Sequence, residues 1–294
     1  MKIRLGTRGS RLALVQSELF AKRLSEAGHE VELVPIVTEG DVRPIDVSIG
    51  EGVFVAAIAR ALIAGEIEIA VHSAKDLPLK EEPDLVIAAY PERGDPRDVL
   101  VTRNGGATLE TLRGGAIVGT DSPRRAGFLR AARPDLQVAP LHGNVETRLR
   151  RLDAGEVDGL VLAAAGIDRL GKSDRIDQRL DPELVAPAPG QGALAVQARR
   201  SDEELVRLLA AWDLISLRLA VETERQVLTA TGGTCRSPVG ALAAVNADSF
   251  TLLVAGVNSD GTGKRVDHVE GACDDAARLA AEAGRRLLAE VTLR

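Results

Sequence analysis

The sequence predicts an α/β protein of two similar lobes followed by a smaller α+β domain. Over the first two-thirds of the chain, short apolar strands alternate with helical stretches, the pattern of a largely parallel sheet. From about Ser216 a helix precedes three strand-like runs and an Ala-rich closing helix, a different grammar that marks a separate domain. At 294 residues the chain exceeds one typical domain, which agrees with two or three.

The elements follow in order. Ile3 to Gly6 reads as a strand and Arg11 to Ala27 as a helix, with Leu12, Val15, Leu19 and Leu24 at helical spacing and Gly28 at the C-terminal cap position. Val31 to Thr38 is the next strand, Val53 to Ala64 a helix ended by Gly65, and Ile67 to His72 a third strand. The second lobe repeats the order: strand Ala116 to Thr120, helix Pro123 to Ala132, strand Leu136 to Pro140, helix Asn144 to Ala154 and buried strand Leu160 to Ala165. Paired α/β lobes place a cleft between them, with strand C-termini and helix N-termini toward the ligand. The last domain takes helix Leu217 to Leu228, strands Val239 to Val245, Phe250 to Val257 and Lys264 to Val269, and a helix from Asp274 to Glu290. Asn258-Ser259-Asp260-Gly261 supplies the turn between the second and third of those strands.

Composition excludes several functions. A net charge of −6, from 43 acidic and 37 basic residues, gives no broad field for nucleic acid, and six rings among 294 residues leave no stacking platform. The two cysteines, Cys235 and Cys273, cannot build a disulfide framework or a four-ligand zinc site. Four histidines, at 29, 72, 142 and 268, show no ligand spacing, so no metal is expected. The N-terminus reads directly as a strand and the longest apolar runs, such as Leu160 to Ile167, are far too short for a membrane span. A cytoplasmic monomer with no membrane or nucleic-acid partner is expected. Arg outnumbers Lys by 31 to 6, an imbalance that genomic base composition explains in bulk; the informative question is where the arginines fall.

They fall at strand ends. Thr7-Arg8-Gly9-Ser10 joins strand to helix in a tight turn that offers backbone N–H groups, a helix start and the Arg8 fork to an anion; it reads equally as an ordinary connection. Val71-His72-Ser73-Ala74-Lys75-Asp76 ends a strand in polar groups, where Asp76 is either one half of a solvated pair with Lys75 or a carboxylate placed to stabilise a cation. Thr120-Asp121-Ser122-Pro123-Arg124-Arg125, His142-Gly143-Asn144 with Arg148, and Ile167-Asp168-Arg169 repeat the arrangement. Successive arginines at strand ends of an acidic chain suit a ligand bearing several carboxylates or phosphates. Cys235 stands in a Gly-rich loop beside Arg236, which would favour its thiolate, although a lone cysteine with no His or Asn partner is more often inert; Cys273 has no such setting.

In chain order, TRGSRLAL, TEGD, HSAKDLP, DPRD, VGTDSPRR, HGNVETRL, AGIDRLG, PGQGALAVQ and GGTCRSPVG resemble the porphobilinogen deaminase (hydroxymethylbilane synthase) family over nearly the whole chain. The resemblance implies two lobes resembling type II periplasmic binding domains plus a small C-terminal domain with a three-stranded antiparallel sheet. Its boundaries here are 1–92 with 193–213, 97–187, and 216–294. It implies a transferase that deaminates four porphobilinogen molecules and joins them head to tail into hydroxymethylbilane. The growing polypyrrole is primed by a dipyrromethane cofactor attached covalently to Cys235. By the same resemblance Asp76 is catalytic. Lys75, Ser73, Thr120, Ser122, Arg124, Arg125, Arg148 and His142 bind the cofactor, and Arg8, Ser10, Arg169 and Gln191 bind substrate. His142 departs from the Arg usual in the family, and Glu51 stands where some members have Lys. A histidine is shorter and, as a residue type, only fractionally charged at neutral pH. The competing readings are a non-catalytic protein that binds an anionic ligand and a degenerate family member.

Overall fold

The computed structural model describes residues 1–38, 55–80, 82–234 and 237–291. Gly40, Asp41, Glu51, Val53, Cys235 and Arg236, all named above, lie outside the described residues. Along the chain the strands are β1 (Lys2–Arg8), β2 (Glu30–Ile36), β3 (Ile69–Ser73), β4 (Leu85–Ala89) and β5 (Asp98–Thr102). They continue with β6 (Ile117–Gly119), β7 (Gln137–Ala139), β8 (Gly159–Ala163), β9 (Gln178–Arg179) and β10 (Leu194–Arg199). β11 (Val239–Asn246), β12 (Ser249–Gly256) and β13 (Arg265–Ala272) complete the set.

Contacts divide the chain into two compact units, Met1–Arg93 with Ala193–Arg218, and Gly94–Gly192 with Leu219–Arg294. The first unit holds a five-stranded sheet in the order β2-β1-β3-β10-β4. β1 runs parallel to β2 and β3, whereas β10 is antiparallel to both β3 and β4. Ile3, Leu5, Ile69, Val71 and Val196 bury one face beneath Phe20 and Leu24 of the helix Arg11–Glu26. That helix starts because Ser10, in extended conformation, accepts the Ala13 N–H as its N-cap.

The second unit repeats the order as β7-β6-β8-β5-β9. β6 is parallel to β7 and β8, and β5 is antiparallel to β8 and β9. The expected largely parallel sheets therefore each contain one reversed strand, and in both units it is the strand that begins just after the chain crosses from the other unit. Reversal brings its first residue to the C-terminal end of its antiparallel neighbour: Leu194 pairs with Ser73, and Asp98 with Ala163. The strand expected to run through Ala165 stops at Ala163 and turns directly into the helix Ala164–Arg169.

The C-terminal sheet, β11-β12-β13, is a fully antiparallel meander. It belongs to the second unit because Leu253, Ala255 and Val257 share a core with Phe128 and Leu129 of the helix Pro123–Ala132. Gly240 and Gly127 permit that packing: a Cβ would stand 2.4 Å from Ala186 Cβ in the first case and 2.7 Å from Val257 Cγ1 in the second. No helix among the described residues is long and apolar enough to cross a membrane.

Candidate active site

In the first unit, the C-terminal ends of β1 and β3 carry the polar residues. Arg8 closes β1 and Ser10 is committed in part to capping the following helix. Ser73 closes β3, and its hydroxyl is held by the buried Gln16 side chain, which donates from Nε2 at 3.0 Å. A single 3-10 turn, Ala74–Asp76, follows, with Ala74 buried and bonded through its N–H to Ala193 O. The turn leaves Lys75 half-buried and Asp76 exposed. Among the described residues, no side chain or N–H donates to the Asp76 carboxylate, so both oxygens remain available to a ligand. His72 is buried, and burial pushes its pKa down to about 4 against the opposing influence of the neighbouring Gln197 amide.

In the second unit, the helix Pro123–Ala132 begins at the C-terminal end of β6. Ser122 is its N-cap, accepting from Arg125 N–H at 3.4 Å, and Pro123 fits the first turn. Thr120 is buried, its hydroxyl accepting from Ser122 N–H. These caps fix the backbone from which Arg124 and Arg125 depart, and both side chains turn inward rather than to solvent. Arg125 donates from Nε and Nη2 to Asp98 Oδ1 at 3.0 and 2.8 Å, and Arg124 Nη1 lies 2.8 Å from Asp98 Oδ2 while also donating to Ala186 O. Gln191 is buried beside them, donating to Asp98 Oδ1 at 2.9 Å and Pro96 O at 2.7 Å. Burial alone would raise the Asp98 pKa; the two guanidiniums outweigh it and hold the carboxyl far below the ordinary range.

Arg148 lies on the next helix, Val145–Asp153, whose N-cap Asn144 accepts from Thr147 N–H. Its Nε donates to Gly143 O at 2.7 Å, leaving the terminal nitrogens without an acceptor among the described residues. Burial pushes the Arg148 pKa down to about 10, with Arg125 repelling and Asp121 attracting the charge; it remains a cation at neutral pH. His142 Nδ1 stands 2.7 Å from Asp121 Oδ2, close enough for an ion pair although the two make no hydrogen bond. Arg169 ends the helix Ala164–Arg169 and donates to Gly192 O at 2.8 Å.

Among the described residues, the second unit thus gathers Arg124, Arg125 and Arg148 around Asp98 and Asp121, three cations against two anions, with Arg151 beside them already paired to Glu156. A partly buried surplus of one positive charge, presenting unpaired guanidinium donors, suits an added carboxylate. The residues therefore fit a carboxylate-bearing group. Asp98, Asp121 and Gln16 were missed as site residues on sequence grounds. A lone Asp heading the wholly apolar run Val99-Leu100-Val101 was the available signal, since a buried carboxylate requires partners.

Two family models match the chain. One, described as porphobilinogen deaminase, dipyrromethane cofactor binding domain, covers residues 3–207, and the C-terminal domain of the same family covers residues 218–289. The chain belongs to the porphobilinogen deaminase family. Porphobilinogen deaminase of Acidothermus cellulolyticus is 48% identical over 98% of this chain and 88% of its own length. That of Roseiflexus is 46% identical over 97% and 98% of the respective lengths, and that of Mycobacterium tuberculosis 47% over 83% and 79%. Among solved structures, a putative periplasmic sulfonate-binding protein of Methylobacillus flagellatus matches 76% of this chain and 67% of its own at TM-score 0.41 and 16% identity. A periplasmic binding protein of Salmonella typhimurium with high arginine specificity matches 75% and 93% at TM-score 0.42 and 14% identity. Likenesses of that size add nothing to the family assignment.

Proposed function

We propose that this chain is a working porphobilinogen deaminase, which deaminates porphobilinogen and joins four units into hydroxymethylbilane. Two observations carry the reading, one in each unit: an exposed carboxylate at a strand end, Asp76, with no donor among the described residues, and a cation-rich cluster around Arg124, Arg125 and Arg148. The dipyrromethane, when bound through Cys235, supplies a nucleophilic pyrrole carbon to which each unit is joined. The chain's own residues then divide the work. Asp76 accepts from pyrrole N–H groups and stabilises positive charge developing on the substrate as ammonia departs, which requires an ionised carboxylate. Lys75 and Ser73 flank it, the latter oriented by Gln16. Arg148, with Arg124 and Arg125 behind it, neutralises ring carboxylates of the primer, assisted by Thr120, Ser122 and His142. Arg8, Ser10, Arg169 and Gln191 serve the incoming substrate, Gln191 doing so through Asp98, since its amide is buried against that carboxylate. Cytoplasmic action as a monomer completes the reading.

The deciding experiment is intact mass of the purified chain beside Cys235→Ala. The expected wild-type excess equals two linked pyrrole units and is absent from the variant. A bare wild-type mass that persists after incubation with porphobilinogen overturns the reading in favour of an anion-binding or degenerate protein.

A further inference from the structure

We propose that Asp98 is a positioning residue for primer binding: its one carboxylate holds both Arg124 and Arg125 and trims the cluster to a single surplus positive charge. The inference rests on the functional reading above and adds a residue to it. Asp98 reaches this place through topology. It is the first residue of β5, the reversed strand of its sheet, so it opens at the C-terminal end of β8, opposite Ala163. The carboxylate is fully buried and its two oxygens hold different partners. Oδ1 takes two bonds from Arg125 and one from Gln191, while Oδ2 faces Arg124 at 2.8 Å. Neither guanidinium can rotate without breaking a charge-assisted contact.

A fold-stabilising ion pair would need one arginine. Here a second buried guanidinium shares the same anion, and a buried charge left without compensation is strongly destabilising. Arg148, repelled by Arg125 and only partly offset by Asp121, adds to the surplus. Among the described residues the arrangement is therefore one anion short. Removing Asp98 would leave three cations against Asp121, with Arg124 held through Ala186 O and Arg125 through Gln191 Oε1 alone. Adding a further carboxylate would cancel the surplus that attracts the ligand.

The test compares the holoenzyme with Asp98→Asn and with Asp98→Asn/Gln191→Glu. Gln191 Oε1 lies 3.4 Å from Arg125 Nη2, so a glutamate there restores the charge count without restoring the contact to Arg124. Folding is followed by circular dichroism and melting temperature, and primer loading by intact mass after timed incubation of cofactor-free chain with porphobilinogen. The expected result is at least tenfold slower loading of folded Asp98→Asn. The double variant should regain melting temperature but remain at least tenfold slow, because alignment and not charge alone is lost. Wild-type loading by either folded variant overturns the positioning role, and so does failure of both to fold, which assigns Asp98 to the fold alone. Wild type that never acquires the primer overturns the functional reading instead.

Discussion

His72 stands on β3 with its ring shut away from water, Gln197 beside it and Nε2 without a partner among the described residues. Burial lowers its pKa from 6.5 to about 4, so the unfolded chain takes up a proton that the folded chain refuses between those values. Stability is therefore unaffected above pH 6.5 and is lost as pH falls toward 4, by about 3 kcal/mol in total. Measured by urea unfolding, the stability difference between wild type and His72→Gln should move by most of that amount against wild type from about pH 7.5 to about 4.5. A difference that stays constant with pH would refute the buried neutral state. His142 poses the opposite question, because it is partly accessible and faces Asp121. His142→Arg should lower the KM for porphobilinogen about three- to tenfold, the worth of one charge-assisted contact at a partly exposed site. Unchanged or worse KM and elongation rate would show that Asp121 claims the new guanidinium. At this scale, the sequence singled out candidate site residues but not the groups that hold them. Arg124 and Arg125 stand out in SPRR, whereas Asp98 is remote in sequence and becomes their partner only when β5 folds beside β8.

Helix packing in the second unit turns on a glycine that local propensity would remove. Gly284 lies within the helix Ala276–Glu290, where alanine is intrinsically better by about 1 kcal/mol. Its α-carbon faces the helix Ile215–Ala230 so closely that a Cβ would stand 2.6 Å from Val227 O and 2.9 Å from Ala230 Cβ. A backbone oxygen cannot swing aside as a side chain can, so the clash outweighs propensity. Gly284→Ala should destabilise by about 1–3 kcal/mol, read as a lower urea midpoint with unchanged slope. A raised midpoint would mean that the helices separate at little cost. Such approaches explain which elements were legible. The helix Pro123–Ala132 coincides with the sequence reading because Ser122 and Pro123 announce its start and its apolar spacing is local. β4, β5 and β10 escaped because nothing nearby pairs with them: β10 meets β3 across the whole of the second lobe's sequence, an arrangement fixed by tertiary contacts and not by periodicity. The helix Ala164–Arg169 escaped because its apolar opening continues the run of β8 without a break.

At the scale of the molecule, neither unit is a continuous piece of chain, and this sets an order of events in folding. The first unit needs Ala193–Arg218, made only after the whole of Gly94–Gly192. Within its sheet β10 lies between β3 and β4, so its absence would expose the edges of both and remove Leu194, Val196 and Ala198 from the core under Phe20. An unpaired central edge lined by apolar residues is a template for aggregation. Long-range pairing of this kind also slows folding, because the loop must close before the contacts reward it. A fragment ending at residue 192 should therefore leave the amides of β1 and β3 exchanging with solvent at close to unprotected rates, while the full chain protects them strongly. Adding a peptide spanning residues 193–218 should restore protection in proportion to its concentration, since it supplies both the missing strand and the helix Glu203–Leu209 that covers it. If the fragment alone protects β3 as well as the full chain does, the sheet closes without β10, and the first unit does not wait for Ala193–Arg218.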